Sequence, residues 1–131
     1  MSYLSKDEQL LIKIQKYMMM LKKLFGSIER LPNTKLDENV EALALSQCLT
    51  NLFELSSRLS DDTVAAKLNI LSSGRIVGFR NIATHDYDSI NWDIAKKNCK
   101  TILNTITDDS IKDCFEILAK KKANQKDYTN L

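Results

Sequence analysis

"SKDEQLLIKIQKYMMMLKKLFGSIER", residues 5–30, decides the fold class. Leu10, Leu11, Ile14, Met18, Leu21, Phe25 and Ile28 recur at the three-and-four spacing that gathers side chains on one broad face of an α-helix. Ser5 and Glu8 precede the run as a capping-box signature. The serine hydroxyl can accept the N–H three residues on, and the glutamate carboxylate can return to the serine's own N–H. A helix is therefore expected over 6–30.

Outward from this run the same periodicity continues. "RLPNTKLD" holds the sole proline, which closes the first helix, and Asp37 is expected to cap the next. Over 38–59, Val40, Leu45, Cys48, Leu49, Leu52 and Leu55 or Phe53 make a second long stripe, placed to lie antiparallel to the first. "SDDT" at 60–63 is a further N-cap, with Val64, Leu68 and Leu71 running to a weak point at "LSSG". Helix is expected again over about 74–85, with Ile76, Phe79, Ile82 and Ala83 inward. Asn91 caps a segment carrying Trp92, Ala95, Cys99, Ile102, Leu103 and Ile106 in register. "TDDS" opens a shorter fifth helix with Ile111, Cys114, Phe115 and Leu118. "KKKANQKDYTNL" then has too little apolar content to pack.

The chain is thus expected to be all-α: an up-and-down bundle of four to five helices over 1–120, with a disordered basic tail over 121–131. Three glycines, one proline and an apolar content of 44% in 131 residues fit one helical domain with a true core. Nineteen basic against seventeen acidic side chains leave a net charge of +2, too little to announce a nucleic-acid binder by itself. Any contact with a polyanion must come from local charge.

"MSYLSKDEQLL" has charges where a signal peptide needs an apolar stretch, and no run has the length of a membrane span, so a cytoplasmic protein with no membrane partner is expected. Cys48, Cys99 and Cys114 show no metal-site spacing and fall on apolar stripes, as buried reduced thiols do. The aspartate pairs at 61–62 and 108–109 stand at helix starts, where carboxylates cap free N–H groups. Met18, Met19 and Met20 point around their helix and serve packing rather than chemistry.

"RNIATHDY", residues 80–87, holds the one histidine. In an unbroken helix Arg80 and His85 point about 140° apart, so sharing one target requires a loosened helix end or a second copy of the chain. Gly78, just before Arg80, removes a side chain where another helix could approach closely. Imidazole is the side chain that titrates near neutrality, and guanidinium binds phosphate through a planar fork. A histidine beside an arginine can equally be a helix C-terminal cap, and spacing alone does not separate the two.

"GFRNIATHDY" resembles the R-x-x-x-x-H-x-Y signature of HepT-type proteins in the HEPN superfamily. "ALSQCLTNLFELSSRLS" resembles that family's second long helix with its glutamate, here Glu54, and "SINWDIAKKN" the segment after the motif. The resemblance extends over about residues 8–118. It implies a ribonuclease toxin in which Arg80 and His85 are catalytic, Asn81 and Glu54 support them, and no metal or cofactor takes part. It further implies a homodimer, RNA as substrate, and a MntA-like nucleotidyltransferase antitoxin that adenylylates Tyr87. A catalytically silent HEPN module that holds a nucleotide or a partner shares every one of these features, and a purely structural adaptor would tolerate substitution at 80–87.

Overall fold

The computed structural model describes residues 3–37, 39–72 and 90–129, with side chains as far as Asn124. It is all-α. The described helices are α1 (Lys6–Ile28), α2 (Val40–Ser57), α3 (Asp62–Lys67), α4 (Trp92–Thr105) and α5 (Asp108–Thr129), with 3-10 turns at Asn33–Lys35 and Asn69–Ser72. The helix expected over 74–85 lies outside the described residues.

α1 begins as its sequence dictates. Glu8 N–H donates to Ser5 Oγ at 3.1 Å and Ser5 N–H donates to Glu8 Oε1 at 2.9 Å, closing the capping box. Its stripe of Leu10, Leu11, Ile14, Met18, Leu21, Phe25 and Ile28 is wholly buried. α2 pairs with α1 along its length and buries Ala42, Leu45, Cys48, Leu49, Leu52 and Leu55 against it. Removing this apolar surface from water, at roughly 25 cal/mol per Å², is the main favourable contribution to the bundle.

Three expectations are corrected at the turns. The cap of α2 is Asn39, whose side chain accepts from Ala42 N–H at 2.9 Å, and not Asp37. Asp37 instead accepts the Trp92 indole N–H at 2.8 Å, a partner far along the chain that local pattern cannot show. With the helix starting at Val40, that residue is 76% exposed and Ala42 takes the inward place. α3 stops at Lys67, and Leu68 reaches the core as its C-cap and Leu71 through the following 3-10 turn, rather than through a continuous helix.

The basic segment after Leu118 is helical to Thr129, beyond the point near 120 where the apolar stripe ends. Charge rather than burial accounts for its first turn. Lys121 pairs with Asp61, and Lys122 bonds both the Tyr3 carbonyl and Glu8. Asp61 caps α3 through Val64 N–H at 2.9 Å, as read from "SDDT". Thr107 takes the capping position of α5, accepting from Ser110 N–H at 3.2 Å, while Asp108 and Asp109 occupy its first turn. Cys48, Cys99 and Cys114 are free and buried.

Candidate functional site

Arg80, Asn81, His85 and Tyr87 lie outside the described residues, so the geometry on view is that of the frame holding the ends of their segment. On the leading side, Leu68 and Leu71 are fully buried, and the 3-10 turn that carries Leu71 packs against α2, α3 and α4. Leu71 N–H donates to Leu68 O at 3.1 Å, which tightens the turn just before the chain goes on into 73–89.

On the trailing side the anchoring is denser. Ile90 and Trp92 are buried, and Asn91 caps α4 by accepting Ile94 N–H at 3.2 Å. Three long-range bonds then fasten this end to the α1–α2 connection. Trp92 Nε1 donates to Asp37, Asn33 Nδ2 donates to Asp93 Oδ1 at 2.6 Å, and Lys96 Nζ donates to the Leu31 carbonyl at 2.7 Å. Each joins residues more than fifty positions apart, so sequence reading found Trp92 as a core residue and missed all three bonds. The coincidence of a single tryptophan with two flanking polar residues was the one available hint.

Glu54 sits in the last turn of α2, on its exposed side. It continues the polar line of Gln47 and Asn51, which are bonded to each other at 3.2 Å, and its carbonyl accepts the Ser57 hydroxyl at 2.7 Å. The buried stripe is on the opposite side of the helix, so this line belongs to the surface.

The other reactive groups are poor candidates for chemistry. Burial pushes the Cys48 and Cys99 thiols up to about 12 and raises Cys114 as well, so all three stay protonated and unreactive at neutral pH. A cleft between the N-terminal stretch and α5, lined by Tyr3, Lys6, Asp7, Asp61, Lys121 and Lys122 among others, has its two α5 lysines already engaged by Asp61 and Glu8.

An all-α bundle with a long antiparallel first pair and a segment held between a buried turn and a pinned helix start has the architecture of the HEPN class. Residues 14–110 match the family described as "Ribonuclease HepT-like", a span that takes in α1 from its third turn, Glu54, the whole of 80–87 and the anchored start of α4. The chain belongs to the HepT-like ribonuclease family. No curated protein and no solved structure matches it. Among the described residues, no helix is long and apolar enough to cross a membrane.

Proposed function

We propose that this protein is an endoribonuclease toxin that cuts RNA without a metal ion, using Arg80 and His85. The observation that carries the reading is the family match, which encloses the R-x-x-x-x-H-x-Y motif and the helix of Glu54 in one continuous span. The anchored ends of the motif segment support it, because a catalytic pair needs a fixed frame.

The chemistry follows from the two side chains. The RNA 2′-hydroxyl loses its proton to His85 and attacks the adjacent phosphorus, forming a 2′,3′-cyclic phosphate. The 5′-oxygen leaves and takes a proton from a second His85, supplied by the partner subunit of a two-fold dimer. Arg80 holds the phosphate through its fork and stabilises the charge that grows on it, with Asn81 and Glu54 as polar support. Two copies of Arg80 in one cleft would double the local positive charge.

Tyr87 is the regulatory residue in this reading. Its hydroxyl attacks the α-phosphorus of ATP on a MntA-like nucleotidyltransferase antitoxin, releasing pyrophosphate and leaving AMP on the ring. The added phosphate then competes with RNA for Arg80.

The test is RNA cleavage in excess chelator. His85→Ala is expected to lower the rate by at least ~100-fold, and Arg80→Ala by a similar factor. After incubation with the transferase and ATP, mass spectrometry should find adenylate on Tyr87 and the cleavage should be lost. Equal cleavage by wild type and His85→Ala, or RNA bound but cut by neither, refutes the catalytic assignment and leaves a silent binding module.

A further inference from the structure

The charge needed to hold RNA is not spread evenly over the surface. From Gln9 to Ile28, α1 carries Lys13, Lys16, Lys22 and Lys23 and no acidic residue. α4 carries Lys96, Lys97 and Lys100 behind Asp93, with Lys96 bonded to the Leu31 carbonyl, and α5 interleaves Asp108, Asp109, Asp113 and Glu116 with its lysines. Lys13, Lys16, Lys22 and Lys23 are all exposed, and among the described residues none of them forms an ion pair.

At 100° per residue, Ile12, Lys16, Met19 and Lys23 fall within about 60° of one another, directly opposite the buried stripe, with Lys13 and Lys22 on either flank. The band from Lys13 to Lys23 is roughly 15 Å long. Gly26 extends it, and a side-chain carbon placed there would meet nothing within 4 Å. Among the described residues, the outer face of α1 is therefore a strip of single-sign charge, long enough to follow several phosphates.

We propose that this strip, centred on Lys16 and Lys23, is a second RNA-binding surface that takes the sugar-phosphate backbone irrespective of sequence. Other occupants fit worse. The exposed apolar groups on this face are Ile12, Met19 and Met20, three side chains where a stable protein interface takes roughly 20–30 residues a side. A second copy docked through this face would set the lysines against their own counterparts. A membrane-lying helix must turn its apolar face to lipid, and here that face is inside the bundle. Backbone binding asks only for unneutralised cations on an accessible line, which is what α1 presents.

The surface rests on the ribonuclease reading only for the identity of the polyanion, and the experiment keeps the two apart. Binding of a labelled 30-nucleotide single-stranded RNA is measured by anisotropy between 50 and 200 mM salt, in chelator, with full-length His85→Ala protein. Adding Lys16→Gln and Lys23→Gln, which keep helix propensity, should weaken binding about tenfold at low salt and lower the log–log salt slope by about 1.4. Removing equal charge from α4, as Lys97→Gln with Lys100→Gln, should change the affinity by about twofold or less.

Equal weakening by the two pairs would reduce the effect to net charge and overturn the proposal, as would an unchanged affinity and slope. Binding lost to vesicles of anionic lipid but kept for RNA would assign the strip to a membrane and overturn it too. RNA binding that needs Lys16 and Lys23 in a protein whose wild type cuts nothing upholds this surface and rejects the nuclease. Cleavage by wild type with lysine-independent binding does the reverse.

Discussion

The two ends of α1, about 33 Å apart, are fastened in different ways. At its start, Asp7 is buried and accepts three bonds, from Ser60 N–H at 3.0 and 3.2 Å and from Asp61 N–H at 2.8 Å. Around it Lys121 and Lys122 bring α5 onto Asp61, Glu8 and the Tyr3 carbonyl. At its far end no such ionic ring is present among the described residues. An indole, an amide and an ammonium reach across from α4 or the turn, and each makes one bond. The first end ties the chain's outer segments to the bundle. The second fixes where the segment 73–89 returns to it, so the two ends divide stability from positioning.

Breaking the first end should cost the most. Asp7→Ala leaves the Ser60 and Asp61 N–H groups without their acceptor, and charge-assisted bonds of this kind make the expected loss about 3 kcal/mol in urea unfolding. Because Asp7 is at the opposite end of α1 from the pinned start of α4, RNA cleavage per folded molecule should stay near the wild-type rate. A loss of less than 1 kcal/mol would show that the Asp7 bonds are replaced by water without penalty.

Breaking the far end should have the opposite profile. Trp92→Phe keeps an aromatic in the core and removes the bond to Asp37, for about 2 kcal/mol from the lost bond and the lost volume. Cleavage should fall further than this stability loss accounts for, with the short-RNA KM changed less than kcat, since the segment carrying His85 is then held less firmly. Parallel losses in Asp7→Ala and Trp92→Phe would erase the distinction between the ends.

This division also marks how far the sequence could be read. Helix positions, stripes and local caps were legible because they obey short spacings: Ser5 with Glu8, Asp61 with Val64, and the seven inward residues of α1. The far end was not, because Asp37 with Trp92 and Asn33 with Asp93 are side-chain partners brought together only by the packing of α4 on α1. Asp37 shows the cost of local reasoning. It has the residue type of a helix cap and stands beside a helix, yet Asn39 takes that role because the helix begins at Val40. Val40 is turned outward because it stands five residues before Leu45, about 140° round the helix from it, and so lies off the inward stripe. Of the candidate site, the motif residues were legible as residue types and spacing. Glu54 entered through family resemblance alone, since an exposed glutamate on a helix carries no signal of its own.

The smallest effect, and the one that isolates the ionic ring, is its pH dependence. Glu8 is held below its ordinary value of 4.5, first by the Ser5 backbone N–H and then, against the opposing effect of burial, by Lys122. Asp61 is held below 3.8, first by Lys121 and then by Val64 N–H. A carboxyl with a depressed folded pKa contributes stability above its unfolded value and loses it as pH falls through the folded one. The ring should therefore be at full strength above pH 5 and weaken from about pH 4.5 downward. Lys121 is 54% exposed, so solvent screening holds the pairs' share to about 0.5 kcal/mol. Lys121→Met with Lys122→Met should lower stability by that amount at pH 6 and leave a shallower decline between pH 5 and pH 3 than wild type shows. Parallel declines would mean that the capping N–H groups alone depress both carboxyls, and that α5 lies against the start of α1 without help from its lysines.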